Sequence, residues 1–204
     1  MAQSLIAEHR AGDHSVVVAA AQSAGRGRFR RKWVSHHGNL YASFIYGLEE
    51  RDAKLSYAVA LAVADTLFSF GIVSTIKWPN DILVDDKKIS GILIEYYGHF
   101  VIIGIGINIA TNPTVEEYKT TKMQNYVMVS EKDVLARLMK YMDKWIKTDF
   151  SIVRSRWMSL ATGLNTNVKY RGATAQLIGI NENGALVLRC GTRYTLAYGD
   201  EIVI

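Results

Sequence analysis

The chain has 204 residues, 49% of them hydrophobic, which suits one domain of ordinary size with a small appendage. Its single cysteine, Cys190, excludes a disulfide framework and a cysteine zinc cluster, and a net charge of +5 keeps nucleic acid, acidic protein surface and nucleotide phosphate open as partners. No apolar run is long enough to span a bilayer, and Glu8, His9 and Arg10 stand where a signal peptide needs an apolar stretch, so a cytoplasmic protein is expected.

Ser15 to Ala21 is a short β-branched run that predicts a buried strand, and Asn39 to Gly47 predicts a second. Ala53 to Phe70 is Ala- and Leu-rich and apolar on most sides, which predicts a buried helix with Gly71 at its C′ position. Strands are expected at Val73 to Trp78 and Ile82 to Val84, then a polar turn at Asp85-Asp86-Lys87. Ile89 to Tyr97 and Phe100 to Ala110 read as strands around a Gly98-His99 turn. Ser130 to Thr148 predicts an amphipathic helix with Ser130 as N-cap and Leu135, Leu138, Met139, Met142, Trp145 and Ile146 on one face. A short helix near Ile152 to Leu160 should follow. From Val168 to Ile204, short strands broken at Arg171-Gly172, Asn181 to Gly184, Gly191 and Gly199-Asp200 suggest a small barrel.

Three segments carry chemistry. Gly25-Arg26-Gly27-Arg28-Phe29-Arg30-Arg31-Lys32-Trp33 follows a strand and combines close backbone approach with forked cationic donors, an anion cradle. It matches neither a Walker A loop nor a dinucleotide fingerprint, and on composition an RNA- or DNA-binding loop is an equal reading. Lys77-Trp78-Pro79-Asn80-Asp81 leads through a turn to Lys88-Ile89-Ser90-Gly91-Ile92-Leu93, with Asn80 and Asp81 at a strand end and Gly91 leaving room for a ligand. Gly104-Ile105-Gly106-Ile107-Asn108 places two glycines in a strong strand, which calls for a bulge or a bound ligand. His36 and His37 read as loop residues.

In this order the segments resemble the biotin–protein ligase family, whose signature is a GRGRxGR loop, a GNLYxS strand, KWPND with a K[IVL][AS]G[IV]L tail, and a GxGxN strand. Here they stand as GRGRFRR, Gly38 to Ser43, KWPNDILVDDKKISGIL and GIGIN. The resemblance runs from about Ser15 to the C-terminus. It implies an α+β fold: a mixed-sheet catalytic domain over residues 1–161 and a small SH3-like β-barrel over residues 162–204.

The resemblance also implies ATP-dependent activation of biotin to biotinyl-5′-AMP and transfer to a lysine of a biotin carboxyl carrier protein. Mg²⁺ is expected on the ATP phosphates rather than on dedicated protein ligands. Gln22, Gly25, Arg26, Gly27, Arg28, Ser43, Gly91, Leu93, Gly104 and Gly106 match biotin-pocket positions. Arg28, Arg31, Asn80, Lys88 and Asn108 match positions that hold phosphate or adenylate. Arg28, Arg31 and Lys88 are the expected catalytic cations, and Asp81 matches the aspartate facing the acceptor lysine. The loop Thr111 to Val129 is expected to cover adenine, with Tyr118 or Tyr126 stacking on the base. A monomer and a homodimer are equally permitted, and neither DNA nor membrane is expected as a partner, because no residues are available for a winged helix-turn-helix.

Two departures bear on the site. Arg30 stands where the family usually has glycine, and its side chain is expected to stiffen the loop or add charge to the phosphate site. The family's Ser-Thr-Asn motif falls about fourteen residues before the strand near Ser15, a point that coincides with Met1, so the motif is missing; this implies a start codon assigned too late or weak biotin binding. A lipoyl or octanoyl ligase or transferase, a nucleic-acid-binding module and a non-catalytic homologue are the competing readings.

Overall fold

The computed structural model describes residues 1–47, 52–197 and 202–203. Among them, β1 (Ser15–Ala19), β2 (Leu40–Gly47), β3 (Thr75–Lys77), β4 (Asp81–Val84), β5 (Lys87–Tyr97), β6 (Phe100–Ile107) and β7 (Ala161–Thr162) form one mixed sheet. Its order is β1-β2-β6-β5-β4-β3-β7, antiparallel throughout except for the parallel β3–β7 pair.

Alternation along the strands gives the sheet two unlike faces. Leu40, Ala42 and Phe44 of β2, with Val101, Ile103, Ile105 and Ile107 of β6, are buried against the helices. These helices are α2 (Leu55–Phe68), α3 (Glu131–Ile146) and α4 (Phe150–Leu160). The opposite face carries two aligned rows. Val17, Ser43, Gly104 and Leu93 stand across from one another, and so do Ala19, Tyr41, Gly106 and Gly91. A short helix that the sequence reading did not anticipate, α1 (Ala2–Ala7), closes the end of this face. Its Ile6 packs on Ile45 and Ile102, with Ala2, Ala11, Val17 and Phe100 around them.

The helix stops and starts follow the chemistry expected of them. Gly71, at φ +79°, donates its N–H to Phe68 O (2.8 Å), and Ile72 donates to Leu67 O (3.1 Å), the paired bonds of a Schellman end. Ser130 Oγ accepts from Asp133 N–H at the start of α3 (3.2 Å). The buried ridge of α3 is Val134, Leu138, Met142 and Trp145; Met139 is 47% exposed, one position round the helix from the face that packs.

The C-terminal strands are β8 (Asn167–Tyr170), β9 (Ala173–Ile180), β10 (Leu186–Cys190), β11 (Arg193–Ala197) and β12 (Ile202–Val203), in antiparallel order β11-β10-β9-β8-β12. Among the described residues this ladder is open, so the expected barrel takes the form of an unclosed sheet; β12 pairs for two residues and does not reach β11. The turns at Gly172, Gly184 and Gly191 all have positive φ, as a tight reversal requires, and the expected Gly199-Asp200 turn lies outside the described residues. The small sheet shares the main core. Val168, Ala175 and Leu177 belong to the same buried cluster as Tyr57 and Trp157, and the Tyr57 hydroxyl donates to Gly184 O (2.8 Å).

Candidate active site

The face of the large sheet turned away from α2, α3 and α4 is the floor of a cavity of about 580 Å³, within the range of small-molecule sites. Val17, Ser43, Gly104, Leu93, Tyr41, Gly106 and Gly91 all line it. The glycines in β5 and β6 are explained here without a bulge, since β6 pairs regularly on both sides. A Cβ on Gly106 would lie 2.7 Å from the indole of Trp33, and one on Gly91 would lie 2.8 Å from it. A Cβ on Gly104 would meet nothing closer than 3.5 Å, so that glycine simply leaves the floor low. Trp33 itself went unassigned in the sequence reading. Its indole Nε1–H is buried with no hydrogen-bond acceptor, and its presence in the slot is a tertiary fact that no local pattern encodes.

The roof is the arginine-rich segment, folded as an irregular hairpin in which Gln22 pairs with Ser35 and Arg26 with Lys32. Ser35 Oγ donates to Gln22 Oε1 (2.7 Å), Trp33 N–H to Gly25 O (2.9 Å) and Gly27 N–H to Arg31 O (2.7 Å). Gly25 is required for close approach: a Cβ there would stand 2.4 Å from Trp33 O. The left-handed positions fall on Phe29 (φ +54°) and Arg30 (φ +59°) and not on the glycines. That accounts for the family's usual glycine at Arg30, because a side chain there costs about 1–2 kcal/mol. Arg26 Nη2 donates to Glu95 Oε2 (2.9 Å) and ties the roof to β5.

One end of the cavity is cationic, and a register slip builds it. Ile82 stands opposite Ser90, but Leu83 stands opposite Lys88, so Ile89 is the extra residue of a bulge. Without the bulge Lys88 would face the helices. With it, Lys88 joins Leu83 and Asp81 on the cavity face, and Lys88 Nζ comes 2.7 Å from Asp81 Oδ1. Their side chains are 13% and 26% exposed, and the contact is close without being a well-directed hydrogen bond. Lys88 Nζ also lies 5.2 Å over the Trp33 ring and 5.1 Å over that of Tyr118. Arg28, Arg31 and Lys77 line the same end. Burial lowers the Arg28 guanidinium's pKa and Arg31 pushes the same way, while the Asp81 carboxylate opposes them. Burial also raises the Tyr118 hydroxyl, with Asp81 and Glu117 adding to it.

Most of the residues singled out in the sequence meet at this cavity: Gln22, Arg26, Gly27, Arg28, Arg31, Ser43, Asn80, Asp81, Lys88, Gly91, Leu93, Gly104 and Gly106 line it. Asn80 Nδ2 donates to Ile92 O (2.8 Å) and holds the turn after the cis Trp78–Pro79 bond. Gly25 lies behind the lining. Asn108 is not brought to the cavity: it is 2% exposed, and its Nδ2 donates to Thr121 O (3.0 Å) while its carbonyl accepts from Met123 N–H. It pins the segment that pairs with Lys88, whose N–H donates to Lys119 O (2.9 Å). Of the two tyrosines in the covering loop, Tyr118 lines the cavity, whereas Tyr126 donates to Asp85 Oδ2 (3.0 Å) outside it. Among the described residues no three His, Cys, Asp or Glu side chains cluster as a metal cage, and no helix is long and apolar enough to cross a membrane.

Residues 3–108 match the model of the biotin/lipoate A/B protein ligase family. The chain is 31% identical to the bifunctional ligase/repressor BirA of Bacillus subtilis (strain 168), over 97% of its own length and 68% of that protein. It is 33% identical to the biotin–[acetyl-CoA-carboxylase] ligase of Paracoccus denitrificans, over 85% of this chain and 83% of the relative. Its structure superposes with a TM-score of 0.87 on the biotin protein ligase from Aquifex aeolicus in complex with biotin and ATP, at 27% identity, covering 99% of this chain and 93% of the other. With its sheet, its glycine-floored cavity and these likenesses in agreement, the chain belongs to the biotin/lipoate A/B protein ligase family.

Proposed function

We propose that this protein is an ATP-dependent biotin–protein ligase that forms biotinyl-5′-AMP and transfers biotin to a lysine of a carboxylase's biotin carboxyl carrier domain. The observation that carries this reading is the polarity of the cavity. Gln22 and Ser43 give one part of the lining hydrogen-bonding side chains, with the Arg26–Glu95 pair beside them; Val17, Leu93 and Gly104 make an apolar stretch next to the Trp33 indole that covers Gly106 and Gly91; and Arg28 and Arg31 gather with Lys88 near Asp81. A ureido ring, an aliphatic chain and a carboxylate meet those three environments in that order. The relatives named as biotin ligases support the same substrate.

In the first step a carboxylate oxygen of biotin attacks the α-phosphorus of ATP, and pyrophosphate leaves. Two anions must approach, and Arg28, Arg31 and Lys88 offset their repulsion as charge builds on the phosphate oxygens. Mg²⁺, which enters on the nucleotide, would be held by the phosphates; among the described residues the carboxylates lining this end are Asp81, Asp86 and Glu117, and Asp81 is already paired with Lys88. In the second step the neutral acceptor amine attacks the acyl carbon of the mixed anhydride. The acyl C–O bond breaks, AMP departs, and Asp81 orients the amine or accepts its proton. Tyr118 supplies a ring face for adenine. Asn108 acts on the nucleotide through the Thr121 segment it anchors.

Residues 1–161 form the catalytic unit in this reading, since every lining residue falls there, and 162–204 the small C-terminal unit. The reaction takes place in the cytoplasm, where ATP and carrier domains meet. In this reading a monomer and a homodimer both accommodate the reaction, and neither DNA nor a membrane takes part in it. Incubation with ATP, biotin and a carrier domain tests it: the carrier should gain the mass of one biotinyl group and pyrophosphate should be released. Modification by lipoate or octanoate in place of biotin, or no modification, overturns it.

A further inference from the structure

We infer that Tyr126 is a positioning residue: through its hydrogen bond to Asp85 it braces residues 119–126 on the β4–β5 turn and so fixes Lys88 at the cavity wall. The inference rests on the reading of Lys88 as a cation that meets the two anionic substrates, and it gives a role to a side chain that lies outside the cavity lining.

Lys88 stands where the large sheet runs out of partners. β6 accompanies β5 only as far as Ser90, which lies opposite Ile107, and Asn108 N–H makes the last contact at Ile89 O (2.9 Å). At Lys88 residues 119–121 take over. The Lys88 N–H donates to Lys119 O (2.9 Å) and its carbonyl accepts from Thr121 N–H (3.0 Å), a parallel bridge centred on Thr120. The bulge at Ile89 turns the lysine side chain to the cavity, and these two bonds fix the backbone that carries it. The same stretch carries Tyr118, whose ring is 5.1 Å from Lys88 Nζ.

A bridge one residue long adds little rigidity by itself, so the anchors of residues 119–121 decide how firmly Lys88 is held. On the buried side Asn108 Nδ2 donates to Thr121 O (3.0 Å). On the outer side the anchor is Tyr126. Its hydroxyl donates to Asp85 Oδ2 (3.0 Å) and lies 3.3 Å from Thr121 Oγ1. A carboxylate only accepts, so the phenol directs its one proton at Asp85 and Thr121 is the donor in the second contact. Asp85 and Asp86 are the two central residues of the β4–β5 hairpin, between the paired Val84 and Lys87, at φ +49° and +57°. A two-residue hairpin turn with both residues left-handed has a set direction, which makes the Asp85 carboxylate a fixed post. The bond closes a ring from Lys88 back through the turn to Asp85, across to Tyr126 and along the chain to the bridge.

The experiment compares the parent with Tyr126→Phe, Asp85→Gly, Asp85→Asn and the double variant Tyr126→Phe/Asp85→Gly. Glycine accepts the left-handed turn position without strain, and asparagine keeps an acceptor there. Tyr126→Phe and Asp85→Gly should each slow pyrophosphate release at saturating biotin and ATP by about three- to tenfold, with KM for ATP and the calorimetric Kd for biotin within about twofold. The double variant should lose no more than either single one, and Asp85→Asn should stay within about twofold of the parent. Hydrogen exchange at the Lys88 and Thr121 amides of the unliganded protein should quicken in the first two variants. A parental rate in Tyr126→Phe, additive losses in the double variant, or a rise in KM for ATP alone, which marks a direct nucleotide contact, overturns the role of Tyr126. A parent that releases no pyrophosphate sinks the ligase reading alone, because the exchange rates still decide whether Tyr126 holds Lys88.

Discussion

Lys88 and Asp81 stand 2.7 Å apart because β4 and β5 slip by one residue, and that pairing sets what each substitution should do. Lys88→Ala removes a cation from the point where two anions meet and should lower pyrophosphate release with biotin by about 10²-fold or more, the worth of a single preorganised donor. Release at the parent rate in a stopped-flow assay would remove Lys88 from the chemistry. Asp81→Asn keeps the shape but loses the proton acceptor. It should slow transfer from supplied biotinyl-5′-AMP to the carrier while leaving pyrophosphate release within a few-fold. Gly106→Ala puts a methyl group where the Trp33 indole lies, 2.7 Å from the ideal Cβ, so one of the two must move. The expected outcome is a higher KM for biotin with little loss of stability, because Trp33 is on the cavity side of the sheet and outside the main core.

Among the elements, the roof loop is the least relaxed. Phe29 and Arg30 both occupy left-handed backbone without being glycine, and three exposed cations crowd its tip. Arg30→Gly removes a penalty of about 1–2 kcal/mol, offset by the roughly 0.5–1 kcal/mol that glycine adds to the freedom of the unfolded chain. The net expectation is a small gain, below about 1 kcal/mol, read as a shift of the urea midpoint without change in slope. A loss of stability would mean that the Arg30 side chain itself holds the loop. The loop's composition was plain in the sequence, but its conformation was not. The close backbone approach expected of the glycines is met at Gly25, while the positive φ values of the loop fall on Phe29 and Arg30, where composition gives no sign of them. Composition does not say which residue of a hairpin sits at its tip; that depends on the bridges from Gln22 to Ser35 and from Arg26 to Lys32.

The two sheets are joined through Tyr57, whose ring meets Trp157 edge-on at 5.1 Å and whose hydroxyl donates to Gly184 O across the core. Burial pushes this hydroxyl from 10.0 up to about 12. The folded form therefore holds the proton more tightly than the unfolded form does. The stability so gained is complete below pH 10 and is lost as pH rises from 10 through about 12, by up to roughly 3 kcal/mol at 1.36 kcal/mol per pKa unit. Tyr57→Phe should flatten that alkaline loss and cost about 1 kcal/mol at neutral pH for the missing hydrogen bond. An unchanged alkaline profile in equilibrium unfolding would assign the loss to another group.

Most strand and helix positions (α1 and the two-residue β7 apart), the Gly71 stop, the Ser130 cap and the ordered motifs were readable in the chain, because each depends on residues a few positions apart. So was most of the site, since Asn80, Asp81, Lys88, Gly91, Gly104 and Gly106 sit on neighbouring strands whose alternation and pairing bring them to one face. What lay beyond the sequence depends on contacts between distant segments. The bulge at Ile89 turns Lys88 toward the cavity, Trp33 fills the slot over Gly91 and Gly106, Asn108 is drawn away to Thr121, and α1 brings Gln3 to the wall. Local pattern reports which face a side chain prefers. Which neighbour it meets there is settled by register and packing, and those exist only once the sheet has formed.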